Sequence, residues 1–221
     1  MLIQITYSLI FASIIMLVVW SIQYRTDNAG FVDVSWAFCT ALIGIYFVYM
    51  NTDYFNLRNI ISAIMIGFWG FRLGFYLLKR VLNENEDRRY NYMKQYCHKY
   101  AQLVMFLFFQ LQATWAVLFA LTILSVVSNK STVLHATDYF AIVIWCTSIT
   151  GEYFADRQLS EFRKSNDNTK VCNIGLWRYS RHPNYFFEWL HWWAYIFLSF
   201  GSPLWWLSWL IMFVVLIFLV K

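Results

Sequence analysis

The chain has 221 residues, of which 60% are hydrophobic, 22% aromatic and only 13% charged, and its formal net charge is +5. Because a soluble domain carries about twice that share of charged residues, the composition indicates an integral membrane protein. The positive charge does not indicate a nucleic-acid-binding protein, since no soluble basic module carries it.

Seven apolar runs of roughly membrane-spanning length follow one another along the chain. Each is predicted to be a helix: Leu2 to Tyr24, Val32 to Met50, Ile60 to Leu78, Leu103 to Val127, Tyr139 to Ala155, Tyr185 to Phe200 and Leu204 to Val220. The first run lacks the basic start and the cleavage pattern of a signal peptide, so we expect it to be retained. The predicted fold is an all-α integral membrane protein that forms a single transmembrane domain over residues 1–221.

Lys and Arg residues are distributed unequally between the connections. Fourteen of the 17 follow the first, third and fifth runs or end the chain, whereas the other connections hold only Arg58 and Lys130. Basic residues accumulate on the cytoplasmic side, so we expect the N-terminus outside and the C-terminus in the cytoplasm. The two longest connections, Lys79 to Tyr100 and Asp156 to His182, are predicted to be cytoplasmic loops with a ligand bound between them.

Arg72 lies in the third run, where an ionised side chain costs roughly 2.5–3.5 kcal/mol on insertion scales. We therefore expect it to face protein, water or a ligand. Tyr76 lies one helical turn further on, so the guanidinium and the phenol are predicted to share a face. An ion pair with Asp33 or Glu188 is the alternative that needs no ligand.

The fifth run ends in GEYFADRQLSEFRK, which contains Asp156 and, about two turns further on, Arg163. The carboxylate suits ribose or amide groups and the arginine suits a phosphate. A solvated helix end, in which Asp156 pairs with Arg157 or Lys164, explains the same pattern. Arg88 and Arg89, in the motif NENEDRRY, are ambiguous in the same way.

The segment GLWRYSRHPNYF, residues 175–186, places two arginines and a histidine directly before a predicted helix. Because proline suits the first turn of a helix, we expect this helix to begin at His182 to Pro183, with free backbone N–H groups facing Arg178 and Arg181. These donors, the helix dipole and the guanidinium groups favour a phosphate or a carboxylate. Anchoring of the helix end to lipid headgroups is the alternative.

A polar stripe follows in the sixth run, formed by Asn184, Glu188, His191 and Tyr195 at helical spacing. Such a stripe on an apolar membrane helix is expected to face inward. Glu188 needs a partner or a proton there, and either suits a cofactor amide or a proton relay. For His191 and Tyr195 we expect a hydrogen bond between helices.

The four cysteines, Cys39, Cys97, Cys146 and Cys172, lie far apart in the sequence. They show neither CxxC spacing nor a grouping with the histidines. We therefore expect free thiols and no metal site.

Together, the motifs WGFRLGFYLLKR, EDRRY, EYFADRQLSEFR and GLWRYSRHPNYFFEW resemble the bacterial membrane proteins grouped with the steroid 5α-reductase C-terminal domain. The resemblance runs from about Asp33 to Tyr195. It implies a fold similar to sterol reductases and isoprenylcysteine carboxyl methyltransferases, with a cofactor held between membrane helices on the cytoplasmic side. It further implies an NADPH-dependent reductase that acts on a C=C bond of a lipophilic, enone-type substrate, steroid-like or another lipid. We expect it in the bacterial inner membrane, or in the endoplasmic reticulum of a eukaryote.

The resemblance also implies roles for individual residues. Asp156 and Arg163 match residues that reach the adenosine and phosphate part of the cofactor, and Asn184 and Glu188 match residues beside the nicotinamide. Further cofactor contacts are expected from Arg72, Arg88, Arg89, Arg178, Arg181 and His182. Because a phenol donates a proton without carrying charge into an apolar cavity, we expect Tyr76 or Tyr185 to be the catalytic donor, with Asp33 or His182 as alternatives. Glu188 is the further catalytic residue that we expect, through a proton relay.

Two features depart from the family pattern. The second run has only Asp33 where steroid reductases use a glutamate, and the chain stops at Lys221 without the family's charged tail, so we expect a truncated chain or an incomplete site. Two other functions stay open. The Arg-His-Pro-x-Tyr turn is shared with SAM-dependent methyltransferases of lipids or prenylcysteine, and a non-catalytic lipid-binding protein would also carry apolar helices.

Overall fold

The computed structural model describes residues 1–51, 56–165 and 171–219. In these residues the chain is helical and contains no strand, which confirms the all-α class. The helices are α1 (Leu2–Thr26), α2 (Phe31–Tyr49), α3 (Leu57–Asn83), α4 (Arg88–Cys97), α5 (Ala101–Val127), α6 (Ala136–Ser165), α7 (Pro183–Leu198) and α8 (Trp205–Leu219). Two short 3₁₀ turns, His98–Tyr100 and Gly175–Arg178, precede α5 and α7.

Four helical stretches are long and apolar enough to cross a membrane: α1, α2, α3 and the stretch Arg88–Val127 that contains α5. This is the pattern of a multi-pass membrane protein. The other three predicted spans, in α6, α7 and α8, are shorter or more charged than these four. The helices α7 and α8 have only 16 and 15 residues, and the second half of α6 is strongly charged.

Much of the two connections predicted as loops is helical in the residues that the structure describes, so the loop assignment is wrong for those parts. α3 extends to Asn83 and α4 fills most of the first connection, while α6 extends to Ser165 in the second. The end of an apolar run shows where the side chains become polar. It does not show where the helix ends, because the backbone hydrogen bonds of a helix do not require apolar side chains. Asp156 and Arg163 therefore lie about two turns apart on α6, as their spacing in the sequence predicts.

The chain divides into two compact units, and the first comprises Met1–Phe55 and Asn59–Leu124. Its core is aromatic: the ring of Trp36 packs edge to face on Trp69 and Phe119, with centroid distances of 5.9 and 5.3 Å. The helices α2 and α3 approach closely at Gly70, where a Cβ atom would lie 2.5 Å from the Cβ of Ala41. The absence of a side chain at this position therefore sets the distance between the two helices.

The second unit comprises Asn56–Arg58 and Ser125–Lys221. Within it, α6 and α7 pack closely, because Gly151 of α6 leaves space for the ring of Phe187 of α7. A buried ion pair joins the first turn of α3 to the first turn of α6: Arg58 Nη2 lies 2.8 Å from Asp138 Oδ2, and both side chains are 1% exposed. The carbonyl oxygens of Ser131 and Val133, in the turn between α5 and α6, accept the other hydrogen bonds of Arg58, so the buried guanidinium is satisfied.

Candidate functional site

The 3₁₀ turn Gly175–Arg178 is fastened to α6 by two hydrogen bonds. Nε1 of Trp177 donates to the carbonyl oxygen of Ala155 at 2.9 Å, and the backbone N–H of Leu176 donates to Oε1 of Gln158 at 2.8 Å. Gly175 has a φ of +53°, and a Cβ atom there would lie 2.5 Å from the Gln158 side chain. Glycine meets both the backbone and the space requirement, so the turn is held firmly against α6.

The helix α7 begins at Pro183 with His182 as its N-cap, which confirms the predicted start. Arg178, Arg181 and His182 are exposed in the segment that leads into it. The His182 ring stacks on the Tyr185 ring, with centroids 5.2 Å apart and planes 19° apart. Accessible cations thus precede the positive end of a 16-residue helix, an arrangement that favours anions.

Asp156 of α6 and Asn184 of α7 are brought together, as Nδ2 of Asn184 donates to Oδ1 of Asp156 at 3.5 Å. The amide oxygen Oδ1 of Asn184 is buried and accepts no hydrogen bond from the described part of the chain. A buried acceptor without a donor costs about 1–3 kcal/mol. Asn184, the second residue of α7, therefore offers a buried acceptor to an external donor. Arg163, further along α6, is exposed.

The polar stripe of α7 faces inward at its far end, since His191 and Tyr195 are fully buried. Nε2 of His191 lies 3.0 Å from the Tyr195 hydroxyl, and this hydrogen bond joins two turns of α7. Tyr195 also has a side-chain hydrogen bond to Trp145 of α6, which is the expected connection between helices. Oε1 of Glu188 accepts from Nε1 of Trp192 at 3.3 Å. The hydrogen bonds of the stripe thus run both along α7 and across to α6.

Four predicted site residues lie in the first unit. Arg72 and Tyr76 lie one turn apart on α3, where Arg72 is half-buried and Tyr76 is 43% exposed. Arg88 and Arg89 are exposed at the start of α4. Asp87 caps this helix by accepting from the Arg89 N–H at 3.0 Å, and the Arg89 guanidinium binds the same carboxylate at 3.0 and 3.1 Å. These hydrogen bonds lower the pKa of Asp87.

A buried phenol–carboxylate pair is the feature that the sequence analysis missed. The Tyr90 hydroxyl donates to Oδ1 of Asp33 at 2.7 Å, and Tyr90 is only 5% exposed. The two residues are 57 positions apart, beyond the reach of any helical spacing. The available signal was Asp33 itself, an acid at the edge of an apolar run that requires a partner. By contrast, the predicted donors Tyr76 and Tyr185 are 43% and 49% exposed.

An open groove of about 460 Å³ lies between α6 and α7. The Thr147 hydroxyl in its wall donates to the carbonyl oxygen of Val143 at 2.8 Å, so it has no need of a ligand acceptor. The groove therefore suits an apolar ligand. It is lined by Cys146, Thr147, Thr150, Gly151, Phe154, Leu176 and Phe187.

Comparison with known proteins gives a family match and one distant relative. The family described as "Protein of unknown function (DUF1295)" matches residues 19–221. An uncharacterized protein of Schizosaccharomyces pombe is 24% identical over an alignment that covers 84% of this chain and 61% of the relative. The chain thus spans about three fifths of that relative's length. No solved structure matches.

Proposed function

We propose that this chain, which belongs to the family of proteins of unknown function named DUF1295, is a membrane-embedded reductase. It uses NADPH to reduce a C=C bond of a lipophilic, enone-type substrate. The observation that supports this most directly is the buried, unsatisfied Oδ1 of Asn184. A nicotinamide carboxamide carries the N–H donor that this oxygen lacks.

The residues around Asn184 fit the charged parts of the same cofactor. Arg178, Arg181 and His182 are exposed before the N-terminus of α7, where a diphosphate would be stabilised by guanidinium groups and the helix dipole. Asp156 and Arg163 would hold the adenosine part, and Glu188 the nicotinamide. Arg72, Arg88 and Arg89 are further proposed phosphate or ribose contacts.

When bound, NADPH supplies the hydride. The chain orients the reactants, excludes water and provides a proton for the reduced substrate. Tyr76 and Tyr185 are the donors that the sequence favours.

The same proposal includes the topology. Seven crossings, with the N-terminus outside and the C-terminus in the cytoplasm, would place the arginine-containing turn on the cytoplasmic side, where NADPH is available. The groove between α6 and α7 would then admit an apolar substrate from the membrane. The bacterial inner membrane is the proposed location.

Ligand-induced quenching of tryptophan fluorescence tests the function. NADPH is expected to quench the emission of the purified chain, whereas SAM is not. Arg181→Ala should weaken NADPH binding about 10- to 150-fold, the usual loss for a hydrogen bond to a charged group. Arg157→Ala is the matched control, because Arg157 is exposed and binds Glu161.

Quenching by SAM but not by NADPH would indicate the methyltransferase that shares the Arg-His-Pro-x-Tyr turn. Equal NADPH affinity of both variants would remove Arg181 from the site.

A further inference from the structure

The helix α4 and the 3₁₀ turn after it expose a row of tyrosines, here named the tyrosine stripe. It consists of Tyr92, Tyr96 and Tyr100, which are 69%, 74% and 58% exposed. The rings of Tyr92 and Tyr96 stack, with centroids 6.2 Å apart. On α5, Leu103, Leu107 and Leu111 are exposed at helical spacing. The exposed leucines suit lipid chains, and the exposed tyrosines suit the headgroup region.

The acids Glu86 and Asp87 before α4 are paired with cations, and Asp27, which is 83% exposed, is paired with Lys94. Glu86 accepts from the backbone N–H of Ala29 at 2.6 Å and binds Lys94 at 2.8 Å. Asp87 is held by Arg80 and Arg89. These carboxylates are thus neutralised by partners within the first unit.

Cations lie on the outer surface beside the tyrosine stripe. Arg88 is exposed and stands one turn before Tyr92, on the same face of α4. Nζ of Lys99 lies 4.9 Å from the centre of the Tyr100 ring. Glu84 is an exposed acid that precedes α4. The surface is therefore both aromatic and cationic.

This surface is held in place from behind. Tyr90 is anchored to Asp33 at 2.7 Å, and Lys94 binds Oδ1 of Asp27 at 2.6 Å. Because α4 is already fixed to Asp27, the residue after α1, and to Asp33 of α2, a ligand would not have to order it, and preorganisation favours binding.

We propose that the tyrosine stripe, with Arg88 and Lys99, binds the headgroup of an anionic phospholipid while the lipid chains follow the α5 leucines. The guanidinium of Arg88 and the ammonium of Lys99 would bind the phosphate, and tyrosine side chains are enriched at the depth of the headgroups. A net negative headgroup is preferred because the surface carries uncompensated positive charge. This inference does not depend on the proposed function, and it gives Arg88 a partner other than the cofactor.

Native mass spectrometry of the full chain tests this proposal. The protein is equilibrated with equal amounts of phosphatidylglycerol and phosphatidylcholine, and the retained lipids are counted. Each basic residue near an anionic surface changes affinity about fivefold, so Arg88→Gln with Lys99→Gln should lower the phosphatidylglycerol preference roughly 25-fold. Lys130→Gln with Arg157→Gln removes two exposed cations elsewhere and should leave the preference unchanged.

The charge-conserving pair Arg88→Lys with Lys99→Arg should keep the preference, which separates lost charge from a lost fold. Unchanged preference in the glutamine variant overturns the proposal. An equal loss in the Lys130 and Arg157 control overturns it as well, because the effect would then belong to overall charge. Failure of NADPH to bind the same preparation would count against the reductase proposal alone.

Discussion

Replacing Asp138 by asparagine should destabilise the second unit strongly. The carboxylate accepts from Nε and Nη2 of Arg58, both at 2.8 Å, and from the backbone N–H of His135 at 2.8 Å. Since both partners of the ion pair are 1% exposed, Asp138→Asn leaves a buried guanidinium without its counter-charge. Breaking a buried pair in this way costs about 3–5 kcal/mol, a roughly 150- to 5,000-fold change in the folding equilibrium.

Chemical unfolding of the detergent-solubilised chain, followed by helical circular dichroism, measures this cost. Glu161→Gln provides the matched control, because it breaks the Arg157–Glu161 pair at 2.7 Å, whose side chains are 58% and 59% exposed. That change should cost about 0–1 kcal/mol. Arg58→Met combined with Asp138→Leu should recover part of the loss: it removes the desolvation cost of both charges, but it leaves the His135 N–H and the carbonyl oxygens of Ser131 and Val133 without these partners. If Asp138→Asn costs no more than the surface control, the reasoning from burial is refuted.

Three further predictions concern single contacts. Tyr90→Phe leaves the half-buried Asp33 carboxylate without its phenol donor and should cost about 1–3 kcal/mol in the same unfolding assay; no change would show that water replaces the phenol. Gly175→Ala should weaken NADPH binding, whereas Asn173→Ala, nearby and exposed, should not, because alanine at 175 requires a strained φ and displaces Gln158. The pKa of Asp87 lies below its ordinary 3.8, chiefly through the Arg89 hydrogen bond, so its contribution is present above that value and is lost as the pH falls through the lowered pKa. Wild-type stability should therefore fall more steeply below about pH 4 than that of Asp87→Asn, and parallel curves would contradict this.

The helices that the sequence predicts well are those with a continuous apolar run or a proline signal. The runs at α1, α2 and α3 lie within long apolar helices, and Pro183 marks the start of α7. In both cases the helix depends on the residues of the segment itself. Apolar side chains favour transfer of a helix into lipid, and the fixed φ of proline suits the first turn of a helix.

The parts that the sequence does not predict depend on contacts between distant segments. From the sequence, Arg58 indicates only the membrane topology. Its partner Asp138 cannot be identified there, because it lies 80 residues away. Tyr90 and Asp33 meet only once α2 and α4 are packed. The helix α4 was missed for a different reason, because a polar amphipathic helix has no apolar run to mark it. Its sequence signal was Asp87, a residue type favoured at the N-cap.

The continuation of α6 beyond its apolar run has a mechanical consequence. From Asp156 to Ser165 the helix projects about 15 Å past that run, at 1.5 Å per residue. An unbroken helix has no hinge along this length, and the turn that carries Trp177 is hydrogen-bonded to the Ala155 carbonyl oxygen of α6. A force applied near Ser165 would therefore tilt α6 as a whole. The groove wall at Gly151 would move with the helix.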